Sequence, residues 1–106
     1  MLKLILNGTV GKDADVMDVG NRKAINFNVA VSMDYKNTQG EKVERTEWVK
    51  AVLWRSEKQS TKIADYLKKG QKVLIEGIPG SEGYQSKDGH IKASLHVNVK
   101  DIELLN

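Results

Sequence analysis

Apolar and polar residues alternate most cleanly between Ala24 and Ser32. Ile25, Phe27, Val29 and Val31 fall on one parity, and Asn26, Asn28, Ala30 and Ser32 on the other. A period of two marks a strand with one buried and one wetted face. Four more segments read as strands. The first runs from Leu2 to Val10, aliphatic and closed by Gly8 and Gly11. Another runs from about Val43 to Trp54, before the Arg55-Ser56 break. A fourth, Lys72 to Ile78, follows Gly70 and is stopped by Pro79-Gly80. The last alternates Ile91, Ala93, Leu95, Val97 and Val99. Asn37 to Gly40 and Lys87 to Gly89 carry turn residues.

Only Ser56 to Lys69 changes period. Its residues favour a helix, Ile63, Ala64 and Leu67 share one face, Ser56 is a candidate cap, and Gly70 after Lys68-Lys69 is a stop. One short helix between the third and fourth of five strands is the order of an OB-fold, an all-β, five-stranded Greek-key barrel. No repeat or linker divides the chain, so residues 1–106 are expected to form one domain.

Composition narrows the function classes. Without cysteine there is no disulfide scaffold and no thiolate metal site. The apolar start Leu2 to Leu6 is interrupted by Lys3 and is too short for a signal-peptide core or a membrane span, so a soluble, cytoplasmic protein with no membrane partner is expected. A net charge of +3 suits an anionic partner, but with 29% charged residues of both signs it also suits an ordinary solvated surface.

The third strand carries the candidate chemistry. Trp48, Lys50, Val52 and Trp54 share one face, and Val49, Ala51 and Leu53 share the other, which is small and apolar enough for a barrel interior. The two indoles and Lys50 should therefore project outward, with the rings roughly 20 Å apart at about 3.3 Å per residue. Either they serve a ligand, or one or both pack under a loop or in a subunit contact. Tyr35, just past the second strand, and Tyr84, in the Gly-rich hairpin Gly80 to Gly89, favour a ligand because both sit in loops. Aromatic platforms interleaved with cations are what single-stranded nucleic acid needs: bases stack on rings while Lys and Arg track phosphates.

The chain resembles the bacterial single-stranded DNA-binding proteins (SSB). The resemblance lies in Leu4-Ile5-Leu6-Asn7-Gly8 with Gly11-Lys12-Asp13, Gly40-Glu41-Lys42 leading to Thr46-Glu47-Trp48, Val52-Leu53-Trp54, and Tyr66-Leu67-Lys68-Lys69-Gly70 running to Ile75-Glu76-Gly77. It implies base stacking on Tyr35, Trp48, Trp54 and Tyr84, and phosphate contacts from Lys3, Lys50 and Lys69, with Arg55 as a further cation. It also implies sequence-tolerant protection of single-stranded DNA in replication, recombination and repair, in a cytoplasmic, nucleoid-associated setting. A homodimer built around Leu2 to Leu6 and a further step to a tetramer are expected. Val49 stands where many members place a histidine at a subunit contact, and Gly80-Ser81-Glu82-Gly83 replaces basic residues before the hairpin aromatic. With the last residue, Asn106, directly after the final strand, the resemblance is to a tail-less or truncated member, without tail-mediated replication and repair partners. The alternative is a primosomal-type OB-fold adaptor that holds replication proteins and binds DNA as a dimer.

Catalysis finds no support in the residue pattern. His90 and His96 lack zinc-ligand spacing, Asp13, Asp15 and Asp18 lack the rest of a calcium loop and read as a solvated acidic turn, and no phosphate-binding glycine loop or nucleophile elbow occurs. No catalytic residue, metal or cofactor is assigned, and no residue identifies a reader of the 2′-hydroxyl that would separate RNA from DNA.

Overall fold

The structure, a computed structural model, describes residues 1–105, with only the backbone at Tyr84. Eight strands run in the order β1 (Leu4–Val10), β2 (Asp15–Val19), β3 (Arg22–Ser32), β4 (Tyr35–Lys36), β5 (Lys42–Val43), β6 (Thr46–Ser56), β7 (Lys72–Gln85) and β8 (Ile91–Leu105). A 3₁₀ turn, Lys62–Tyr66, separates β6 from β7. The main sheet has the order β1-β7-β8-β6-β3-β2, and a short β1–β3 pairing, Thr9 with Ala30 and Val10 with Val29, closes it into a barrel. All pairs are antiparallel except β6 with β8. This is the expected OB-fold.

Parity places the core as the alternation predicts. Ile25, Phe27 and Val29 of β3 and Val49, Ala51 and Leu53 of β6 are buried with Leu6, Val10, Val73, Ile75, Val97 and Val99.

Four expectations about boundaries are corrected. The helix from Ser56 to Lys69 shrinks to the 3₁₀ turn Lys62–Tyr66, which Thr61 precedes without a side-chain capping hydrogen bond. Ser56 instead stays in the β6 ladder opposite Arg22, where Gln59 Oε1 accepts its N–H at 2.9 Å. At the other end the carbonyl of Leu67 accepts from Ala14 N–H and the N–H of Gly70 donates to Val10 O, so the β1–β2 connection takes the backbone groups a longer helix would use. Ala64 and Leu67 are nevertheless buried under the barrel, as their spacing indicated.

The acidic stretch Asp15 to Asp18 is strand β2, exposed along its whole length and held by its ladder to β3, with Gly20 (φ +63°) turning the hairpin. The strand predicted from Val43 is split, because Arg45 N–H donates to Asp34 Oδ1 and Arg45 O accepts from Met33 N–H, which pinches off the small β4–β5 hairpin. Pro79-Gly80 does not stop β7. Its pairing with β1 ends at Gly77, so beyond that point β7 is an edge strand, where a proline without an N–H is tolerated.

Candidate nucleic-acid interface

The ladders place rows of side chains on the outside of the barrel. Across β3, β6 and β8 the rows are Ala30 with Trp48, Asn28 with Lys50 and His96, and Asn26 with Val52 and Asn98. Farther along, Met17 of β2, Ala24 and Trp54 form another. Trp48, Lys50 and Trp54 thus lie along one outward face, as parity predicted.

The two indoles differ in their surroundings. Trp48 is 55% exposed, and its six-membered ring lies against Gly11, where a Cβ would collide with Cζ3 and Cη2. Trp54 is half-buried: its Nε1–H donates to Asn98 Oδ1 at 3.1 Å, and the Arg22 guanidinium sits 4.3 Å from its ring centroid. That cation–π contact takes one ring face. A base stacking on Trp54 uses the other face or displaces Arg22.

Lys50 is exposed beside a cleft of 160 Å³ shared with Lys12, Asp13, Asp15, Asn26 and Asn28. Next to it on β8, His96 Nε2 lies 2.9 Å from Ser94 Oγ and 3.5 Å from Glu82 Oε2, so a carboxylate stands at the edge of the aromatic face.

Tyr35 is exposed, and it sits not in a free loop but in β4, opposite Val43. The hairpin is tied down locally. Asn37 Oδ1 accepts from the N–H groups of Gln39 and Glu41, and Asp34 takes an ion pair from Lys42 at 3.7 Å. The Arg45 N–H holds the Asp34 carboxyl below its ordinary value, with Lys42 adding to the effect. The Tyr84 backbone is part of β7, opposite Lys92, and its side chain lies outside the described residues.

The remaining expected cations are scattered. Lys3 pairs with Glu76 on the outer side of β1 and β7, and Lys69, whose backbone N–H donates to Asp13 Oδ1, lies beyond the 3₁₀ turn. Arg55 has the inward parity of Leu53 and sits at the end of the barrel. Arg22, Asn98 and Met17 carry no signal in the sequence, and His96 shows there only that it lacks zinc-ligand spacing, because a single strand's alternation does not reveal which residues lie across from it.

Among the described residues no three His, Asp or Glu side chains converge as metal ligands, and no helix is long and apolar enough to cross a membrane.

A closed OB barrel carrying two indoles and a lysine in line on one outer face defines the class. The model of the Single-strand binding protein family matches residues 1–105. The chain belongs to that family. It is 36% identical over 104 residues to the Single-stranded DNA-binding protein of Neisseria meningitidis (97% of this chain, 59% of the relative) and 34% identical over 106 residues to that of Bacillus cereus (99% and 60%). The chain therefore spans about three-fifths of the length of these curated relatives. Among solved structures it resembles the Plasmodium falciparum SSB complex with ssDNA, with a TM-score of 0.76 at 22% identity covering 100% of this chain and 96% of that one. The small single-stranded DNA-binding protein of Streptomyces coelicolor also gives 0.76, at 17% identity over 97% and 93% of the two chains. At these identities the likeness speaks for the fold.

Proposed function

We propose that this protein binds single-stranded DNA without sequence preference and protects it, acting as a binding protein and not as an enzyme. The observation that carries the reading is the outward line Trp48-Lys50-Trp54 on β6, flanked by Asn28 and His96. Rings stack on bases of any sequence and the lysine meets phosphate. Duplex DNA keeps its base faces stacked and offers such a surface little. By the family resemblance Tyr35 and Tyr84 are read as further stacking positions, and the names of the relatives support the single-strand reading. Lys3 and Lys69 lie farther from this line and contribute less than Lys50. A cytoplasmic, nucleoid-associated setting follows from the same reading.

We also read the chain as a homodimer. The edge of β1 over Leu4–Asn7 faces no strand among the described residues, and Leu2 and Ile5 are exposed beside it. A second copy would pair that edge and cover the apolar side chains. Light scattering that finds a monomer at micromolar concentration refutes the dimer, and the advance to a tetramer is read from the same measurement.

Tryptophan fluorescence during titration with oligo(dT) tests the main reading. Deep quenching that saturates is expected from stacking on Trp48 and Trp54. A flat signal refutes the assignment.

A further inference from the structure

At one end of the barrel three cations come together that the base-stacking line does not use. Arg22 opens β3, Arg55 lies near the end of β6, and Lys100 belongs to β8, three strands adjacent in the sheet. They line one concavity of 490 Å³ with Leu53, Trp54, Asn98 and Val99, and no carboxylate lines it. That volume is within the range of small-molecule sites, ~300–1,000 Å³.

Local structure aims the three groups there. On β8 the register with β7 slips by one residue: Glu76 pairs with Asp101 and Gly77 with Val99, which leaves Lys100 as the extra residue of a bulge. A bulge re-aims the side chain it carries. Gly77 permits the bulge, since a Cβ there would run into the Asn98 carbonyl and Val97 Cγ2. Arg22 is held over Trp54 by the cation–π contact. Arg55 Nε is buried and makes no hydrogen bond.

The charges are also unbalanced. Glu76, which shares a second concavity with Lys100, is paired with Lys3, and none of Arg22, Arg55 and Lys100 is ion-paired among the described residues. Gathering like charges with an unsatisfied buried donor is unfavourable unless an anion neutralises them. Guanidinium groups match phosphate oxygens in pairs, and Lys adds a point charge. Asn98, whose Oδ1 accepts from Trp54, keeps its amide N–H groups for an acceptor.

We infer that Arg22, Arg55 and Lys100 form a phosphate-binding pocket. Resting on the single-strand reading above, its ligand is the backbone phosphodiester next to the nucleotide stacked on Trp54. The bound strand then turns off the outer face at Trp54 and over the end of the barrel. This explains why a cation shares a ring that would otherwise be left to bases: the same guanidinium anchors the adjacent phosphate.

The test compares wild type with Arg55→Gln, Lys100→Gln and the double variant, and with Lys72→Gln on the β7 outer face as a control for net charge. Circular dichroism verifies folding. Each pocket variant should lower the slope of log affinity for oligo(dT) against log salt by about 0.7, and the double variant by about 1.4, twice the single-strand value per phosphate contact. The control should leave the slope unchanged. In a second arm, free of DNA, inorganic pyrophosphate at matched ionic strength should raise the Tm of wild type and not of the double variant. Wild type that fails to bind oligo(dT) but is stabilised by pyrophosphate through these residues refutes the single-strand reading and leaves the phosphate pocket standing. Unchanged slopes in variants that still bind oligo(dT), or a Tm indifferent to pyrophosphate, overturns the pocket.

Discussion

Gly11→Ala should separate stability from binding. Gly11 is not among the glycines with positive φ, so its backbone suits any residue, and the obstacle to a side chain is the Trp48 ring. Replacing glycine where the backbone permits it stabilises by ~0.4–1 kcal/mol through the unfolded chain. Pushing an exposed indole off its rotamer costs about 0.5–1.5 kcal/mol. The two nearly cancel, so Tm should scarcely move. Binding is different, because on the proposed reading a displaced Trp48 would lose the base stacked on it, worth ~1–3 kcal/mol, or roughly 5- to 150-fold in affinity at 1.4 kcal/mol per factor of ten. Fluorescence anisotropy of labelled oligo(dT) measures the loss independently of the indole signal. In a Trp48→Ala background Gly11→Ala should have no further effect on affinity, which closes a double-mutant cycle. Wild-type affinity in the single variant, or an equal loss in both backgrounds, refutes the coupling of Gly11 to the ring.

Trp54→Ala should weaken oligo(dT) binding by ~1–3 kcal/mol at every salt concentration, whereas Lys50→Ala should lower the salt slope by about 0.7; titrations from low to moderate salt distinguish them. Glu82→Gln removes the carboxylate facing His96 and should raise affinity by less than about 1 kcal/mol, an effect that added salt suppresses. Gly77→Ala forces a Cβ into the β8 backbone and should destabilise by ~1–3 kcal/mol or more, read as a lowered Tm. The Asp34 carboxyl is held below its ordinary 3.8, so its support of the β4–β5 hairpin is complete above that pH and fades as pH falls through the lower folded value. Amide exchange at Arg45 should accelerate in that acid range, and Asp34→Asn should abolish the step.

The alternation of Ile25, Phe27 and Val29 and of Val49, Ala51 and Leu53 made the barrel wall legible, because one face of each strand meets the core and the other meets water. The outward placement of Trp48, Lys50 and Trp54 followed from the same parity. β2 was invisible for the opposite reason: with every residue exposed it has no apolar face to register, and only its ladder to Arg22–Asn26 makes it a strand. The helix was overread because Ala64 and Leu67 are buried at helical spacing, while the hydrogen bonds that decide its length come from Ala14 and Val10, far away in sequence. Pro79 read as a stop because pairing on one edge only is a property of the sheet. Arg22 and Lys100 depend on a hairpin end and a bulge, neither of which leaves a local pattern.

The place of β8 sets an order of events on the ribosome. Ile91–Leu105, made after the other described strands, is an interior strand, antiparallel to β7 on one side and parallel to β6 on the other. Until it emerges, β7 can pair only with β1 over Leu4–Thr9, and β6 only with β3. One open sheet, β7-β1-β3-β6, therefore waits with the β7 and β6 edges unsatisfied for the ~1–3 s that fifteen residues take at ~5–20 residues per second. Such edges are templates for pairing with another nascent chain. A polysome crowded with this message is where the protein is most exposed to aggregation, and a premature stop codon anywhere before β8 would leave a chain that can never close its wall.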